Sequence, residues 1–588
     1  TITVNPTVGV NALADQYITS GQTSSLTNIS SSTTNVVFNW TAVADSGITG
    51  LVDFSSTDTT TIPAETLFNS GTEPLEVTYT IYPVLDSPID CPADPIIYKV
   101  IVNPIATIIL VEDQLLCDQQ LTSIIFVSGI SGGNINYNWT SDINIGAGFT
   151  GSGNMNFTAN NSSIDPIVAN ITVTPIFENG GVTNEGDSVS FTITVNPSGQ
   201  VDQPLDQVVC NGDSTATVEF TTQNTSGITT YTWTNNTPII GLSSVGSGNI
   251  LNFTATNTTT APIIATITVT PFSEINGISC NGENKTFKIT VNPTAQVDQP
   301  LNQTVCNLEE VNVLFATENI FGLNSYSWTS DIEIGAGLSG SENMNFIATN
   351  SSTTPIVANI TVTPTFEFDN VVCDGEDKIF TITVNPAAQV DQPVDQVVYH
   401  QGTTSSVLFT TQNTVGTTTY TWTNNTPSIG LSGSGSGDIL SFTANNTTNI
   451  PLTAIISVTP IFENGDVVCN GEDETFTITV NPTAQVDDIT NQIVCNLDEV
   501  NVLFSTQNTS GTSTYNWTSD IEIGAGLSGS GDMNFTAINS SSAPIVATIN
   551  VTPTLISNGI IDVGDVISFT ITVNPTAQVN QPPSQVVC

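Results

Sequence analysis

The chain has 588 residues, with 53 acidic side chains, four basic ones and a formal charge of −49. The four basic residues are Lys99, Lys285, Lys288 and Lys378; so few exclude a nucleic-acid partner, which needs Lys and Arg to displace counterions, and argue against anionic membrane surfaces. No run of 18 apolar residues occurs, so no segment is expected to insert directly into a membrane.

Thr, Ser, Asn, Val and Ile dominate, and Gly and Pro recur between runs, a composition that suits strands and turns rather than helices. Taken from its start, the chain opens with Thr1 to Pro6, a strand ending in Asn-Pro. Further Asn-Pro pairs begin at Asn103, Asn196, Asn292, Asn385, Asn481 and Asn574, at intervals of 98, 93, 96, 93, 96 and 93 residues. Six modules therefore lie end to end, each large enough for one modest core and too long for a solenoid repeat. The expected boundaries are 1–6 for the closing strand of a preceding module and 7–104 for a divergent first module. Then follow 105–197, 198–293, 294–386, 387–482 and 483–575, with 576–588 opening a further module. The chain is thus expected to be a segment of a longer array.

The module 198–293 illustrates the plan. Val201-Asp202-Gln203-Pro204 reads as an extended polar linker, followed by Val208-Val209-Cys210 and a turn at Asn211-Gly212-Asp213. Ala216, Val218 and Phe220 alternate with polar residues, as in a half-buried strand. Tyr231 and Trp233 share one face of the next strand. Leu251 and Phe253 begin another, and Ile263 to Pro271 is an Ile/Thr/Val strand. Asn276-Gly277 signals a hairpin. Phe287, Ile289 and Val291 line the closing strand, which Pro293 ends because proline has no N–H for the ladder. About seven short strands of this kind predict an all-β chain, a tandem array of six immunoglobulin-like or PKD-like antiparallel β-sandwich modules.

Trp40, Trp139, Trp233, Trp328, Trp422 and Trp517 occur once per module, each two residues after a Tyr or Phe. On a strand both rings point one way, so they are assigned to the core between sheets rather than to a sugar-stacking platform. The modules alternate between two types. One carries Met-Asn-Phe at Met155, Met344 and Met533; the other carries Thr-Asn-Asn-Thr-Pro at Thr234 and Thr423.

Gly146 to Gly151, Gly335 to Gly340 and Gly524 to Gly529 spell GxGxxG. A dinucleotide site needs a helix after the glycines; a strand pattern follows instead, so these read as flexible loops. His400 is the lone histidine and reads as a neutral surface substitution. No base and nucleophile recur from module to module, so the chain is read as not an enzyme.

Cysteines occupy two recurrent positions. An early one carries Cys117, Cys210, Cys306, Cys495 and Cys588, replaced by Tyr17 and Tyr399. A late one carries Cys91, Cys280, Cys373 and Cys469. Pairing within modules, across junctions between cysteines 26 residues apart, or a mixture are all open. The mixed scheme joins Cys210–Cys280, Cys306–Cys373, Cys91–Cys117 and Cys469–Cys495. Oxidised pairs imply an extracellular compartment. Acidic residues gather near one junction, where Glu472, Asp473, Asp487 and Asp488 are weak candidates for sharing a Ca2+; no other cofactor is indicated.

The runs Ile-Thr-Val-Asn-Pro-Thr-Ala-Gln-Val-Asp-Gln-Pro, Gln-Val-Val-Cys-Asn-Gly-Asp, Tyr-Thr-Trp-Thr and Ile-Thr-Val-Thr-Pro resemble the PKD-like and immunoglobulin-like repeats of very large Bacteroidota surface proteins. In particular they are similar to repeats of gliding-motility adhesins exported by type IX secretion. The resemblance covers 105–588 well and 1–104 loosely. It implies arrays of β-sandwiches without catalytic residues. The resulting expectation is the structural shaft of an extracellular, cell-surface adhesin or filament, supporting adhesion and gliding. Its partners would be the other modules of the chain, lateral copies and an unidentified surface or glycan ligand. A polysaccharide-binding array and the spacer of a secreted enzyme are the alternatives.

Overall fold

The computed structural model describes residues 4, 6–86 and 93–584. Cys91, Cys588 and most of the strand expected over 1–6 lie outside the described residues. Among the described residues, regular structure is strand throughout apart from two short 3-10 turns, Pro238–Ile240 and Pro427–Ile429. The chain forms two compact units, Thr1–Thr294 with Phe368–Val371, and Ala295–Glu367 with Val372–Cys588. Each unit contains three sheets of one recurring plan.

In the module 105–197 an opening strand, Gln114–Cys117, lies at one edge of the main sheet. Next come the closing strand Val189–Asn196, the long strand Ile167–Asn179, the tryptophan strand Asn134–Ser141 and the short strand Thr150–Ser152. One edge of the long strand is shared. The closing strand pairs with it from Ile167 to Val173, and the return strand Val182–Glu185 pairs from Ile176 to Asn179. Pro175 sits at the changeover, where the ladder is already interrupted and a missing N–H costs little. Pro83, Pro271, Pro364, Pro460 and Pro553 hold the corresponding place in the other long strands.

The second layer is thinner. In 105–197 it is the pair Leu121–Ile124 with Met155–Thr158, repeated in the other two Met-Asn-Phe modules. In 198–293 and 387–482 only single bridges form there, such as Val218 with Ile250 and Val407 with Ile439. The alternation in sequence is therefore an alternation in how the second layer is built.

Two expectations need correction. The sandwich is not wholly antiparallel: the opening strand pairs in parallel with the closing strand, Gln114 with Ile193 through Cys117 with Asn196, and likewise in the other modules. The chain enters a module at one end and leaves at the other, so its first and last strands point the same way. Side by side, they pair only in parallel.

The second correction concerns the Asp-Gln-Pro segment, which is not a linker. Val201 is buried in the core of its own module. Gln203 Nε2 donates to the Thr286 carbonyl at 2.8 Å, and Asp206 Oδ1 accepts the Lys288 N–H at 2.6 Å. Gln299 and Gln392 make the same contact to Ile379 and Thr475. Side chains thus cover the free edge of the closing strand beyond the reach of the opening strand, as exposed edges require. This leaves little more than the Asn-Pro dipeptide to join one module to the next.

The core is a packed aromatic group on aliphatic strands. Phe126 lies 5.4 Å from Tyr137 and 6.4 Å from Phe191, centroid to centroid, above Ile171, Val173 and Ile193. Phe220, Tyr231 and Phe287 repeat the arrangement, as do Phe315, Tyr326 and Phe380. Each such ring is worth about 1.5–3 kcal/mol by burial alone.

Candidate functional site: the module junctions

All six tryptophans lie inside, from Trp40 at 2% exposed to Trp233 at 7%. None forms an open platform. Trp233 and Trp422 donate from Nε1 to the carbonyls of Gly248 and Gly437 at 3.2 and 3.1 Å. Opposite five of the six indoles in the next strand stands a glycine; in the Met-Asn-Phe modules Gly151 faces Trp139, Gly340 faces Trp328 and Gly529 faces Trp517. A Cβ on any of the three would overlap the ring. These are the last glycines of the GxGxxG runs, and the motif is thereby accounted for by packing.

The loops before them are braced by a side chain of their own. Gly146 and Gly148 adopt φ of +104° and +90°, and both N–H groups donate to Asn144 Oδ1 at 3.0 Å. Glu333 and Glu522 do the same in the other two copies. His400 is also more than a neutral surface residue. Its Nδ1 accepts the Asn446 N–H at 2.9 Å, a place held by Asp118, Asn211, Asn307 and Asn496 elsewhere.

The recurrent polar constellation lies where one module meets the next. From Asn103 to Asn481 the asparagine ending the closing strand is almost fully buried, 0% exposed at Asn103 and 2% at Asn481, and proline removes the following N–H. Its side chain reaches the hairpin of the following module. In the first unit Asn103 Nδ2 donates to the Asn179 carbonyl at 3.1 Å, and Asn179 Nδ2 donates back to Asn103 Oδ1 at 3.0 Å. Asn196 Nδ2 donates to the Ile275 carbonyl at 3.1 Å. In the second unit Asn464 Nδ2 donates to Asn385 Oδ1 at 2.8 Å. Asn481 Nδ2 donates to the Ser557 carbonyl at 2.7 Å, and Asn558 Nδ2 donates to Asn481 Oδ1 at 2.9 Å. Asn103 and Asn481 use both polar atoms of the amide, whereas Asn196 Oδ1 and Asn385 Nδ2 are left without a partner; a buried amide hydrogen bond is costly to break, about 1–3 kcal/mol.

Beside this lock the opening strand of one module lies against the return strand of the next. Disulfides cross there. Cys117 is bonded to Cys280 and Cys306 to Cys469, with Cα atoms 5.4 and 5.5 Å apart and 163 residues between partners in both cases. Cys210 and Cys373 are also disulfide-bonded; Cys495 is free and exposed. These bonds overturn the pairings Cys210–Cys280, Cys306–Cys373, Cys91–Cys117 and Cys469–Cys495. The reason is geometric: early and late cysteines of one module stand on different strands at its opposite ends, whereas the early cysteine faces the late position of its successor.

A sequence signal for this pairing existed. The early position is Tyr17 in the first module and Tyr399 in the fifth. The late position, third in the return strand, is Asn184 in the second module and Asp562 in the sixth. Both cysteines are missing together, one module out of step. At the first of these junctions the Tyr17 ring covers Gly180. Asn184 Oδ1 accepts the Ala106 N–H at 2.8 Å, while its Nδ2 donates to the Pro104 carbonyl at 3.0 Å. At the second, Asp562 Oδ2 accepts the Ala484 N–H at 2.7 Å.

Shallow grooves flank two junctions. One of about 620 Å³ is bordered by Tyr17, Ile105, Asn184 and Glu185; one of about 490 Å³ by Asn307, Asp391, Glu472 and Glu474. Of the Ca2+ candidates, Glu472 borders the second of these grooves. Asp473 accepts from Thr459 Oγ1 at 2.5 Å and Ser457 Oγ at 3.1 Å. Asp487 accepts from Ser505 Oγ at 2.6 Å, and Asp488 is exposed. Among the described residues no three His, Cys, Asp or Glu side chains are grouped to hold a metal ion. Asp165 accepts Thr225 Oγ1 and Ser226 Oγ of the next module at 2.5 and 2.7 Å; these bonds hold its carboxyl below the ordinary 3.8.

A family model described as a PKD-like domain matches residues 16–106. The first module is thus similar to a PKD-like domain, and the modules after it share its β-sandwich plan. The match falls on the first module, where the resemblance was expected to be loosest. No curated protein matches the chain in sequence. Among solved structures it is similar to Sidekick-1 immunoglobulin domains 1–5, at 11% identity over 81% of this chain and 100% of that one, TM-score 0.22. It is similar to the human Desmocollin-1 ectodomain at 10% identity over 81% and 100%, TM-score 0.22. It is also similar to Drosophila N-cadherin EC1–4 at 12% over 63% and 99%, TM-score 0.23.

Proposed function

We propose that the chain is the structural shaft of an extracellular bacterial surface adhesin, holding a binding region away from the cell and transmitting tension. The observation that carries this reading is the junction. A module merely strung on a flexible linker has no need of a buried asparagine reaching into its neighbour, or of a disulfide tying the two. The disulfides favour an oxidising, extracellular compartment. The charge of −49 keeps neighbouring shafts apart by repulsion.

The polysaccharide-binding alternative calls for open aromatic faces, and the tryptophans are interior. The reading includes no enzymatic activity. Support of gliding and export by type IX secretion remain part of the proposal, on the resemblance of the repeat sequences alone. Immunogold labelling of intact cells, paired with deletion of residues 105–575 and an adhesion and gliding assay, tests it. Surface labelling and lost adhesion are expected; a cytoplasmic signal, or adhesion unchanged by the deletion, contradicts it.

A further inference from the structure

Each junction disulfide closes a large covalent loop. Cys117 ends the opening strand of one module and Cys280 lies in the return strand of the next. Between them run the rest of the first module and most of the second. Cys306 and Cys469 enclose the corresponding stretch in the other unit. A pull on the two ends of the chain travels from Cys117 through the sulfur bridge to Cys280, and later from Cys306 to Cys469. Residues 118–279 and 307–468 lie off that path.

We propose that these disulfides are tension bypasses, which confine extension of the chain to the segments outside the loops and make its extensible length a function of redox state. The first module is not enclosed by either bond, and at its junction Tyr17 and Asn184 stand where the cysteines would be. The second unit likewise leaves the whole sixth module, with Asp562, outside its loop. Tension therefore unfolds the ends of the array first and cannot draw out the enclosed modules, even when thermal motion opens them. Reduction removes the limit. One dithiol molecule gives two electrons and two protons to each bond, leaving as its cyclic disulfide while two cysteine thiols form.

The biological weight of this device rests on the shaft reading; the mechanical claim does not. The test is single-molecule stretching of the full chain, held by a handle at each terminus, before and after dithiothreitol is added to the folded, oxidised protein. The two separations of 163 residues should lengthen the fully unfolded chain on reduction by on the order of 1,100 Å, at about 3.4 Å per residue. Pairing within modules would join cysteines 70 and 67 residues apart and return less than half of that. An unchanged length, or the smaller gain, overturns the proposal. A full gain with no adhesion phenotype in cells would discard the shaft and keep the bypass.

Discussion

Gly151 is a residue whose role is set by its partner across the sheet. It gives up side-chain burial so that the Trp139 indole can lie flat over the backbone. Gly151→Ala should destabilise its module by about 1–3 kcal/mol through overpacking, measured as a lower denaturant midpoint; an unchanged midpoint would show the indole free to move aside. Asp113 acts through its charge and geometry together. It accepts the Thr192 N–H at 2.6 Å, and the backbone and side chain of Thr192 hold its carboxyl below the ordinary 3.8. A depressed carboxylate lends stability above its unfolded pKa and loses it as pH falls through the folded value. Asn302 and Asn491 accept the equivalent N–H without a charge. Asp113→Asn should therefore match the parent chain at pH 7 and lose less stability between about pH 5 and pH 2. Parallel acid-induced loss in both proteins, followed by thermal melts, would refute that.

At the scale of strands, much was legible from period and punctuation. Alternation placed Tyr231 and Trp233 on a buried face, Asn276-Gly277 is a hairpin turn with both residues at positive φ, and the Asn-Pro spacing marked where modules meet. What escaped had no period. Gln203 and Asp206 bond to the backbone of a strand some 80 residues away, a contact that leaves no local pattern, so the edge cover passed for a linker. The disulfide pairing is long-range: a junction pair read from spacing joins a late cysteine to the early one 26 residues on, whereas the fold joins an early cysteine to the late one of the next module, 163 positions away. Only the joint loss of cysteine at Tyr17 with Asn184, and at Tyr399 with Asp562, points to that pairing. This reasoning gives a test. The strand Gln396–Tyr399 lies beside Ile560–Val563, so Tyr399→Cys with Asp562→Cys should oxidise spontaneously and stabilise the second unit by about 2–4 kcal/mol. Two thiols still open to alkylation in air would contradict the strand placement.

For the molecule as a whole, the central claim is that neighbouring modules are fastened to each other more firmly than flexible linkers would allow. The fastening combines the buried Asn-Pro asparagines with disulfides that cross from one module to its successor, and both the shaft reading and the tension bypass depend on it. Peptide mapping of the alkylated, unreduced chain by mass spectrometry examines that fastening directly. The expected result is a linked pair containing Cys117 with Cys280, a second containing Cys306 with Cys469, and an alkylated Cys495. Recovery of Cys280 linked to Cys210, or of Cys469 linked to Cys495, would contradict it.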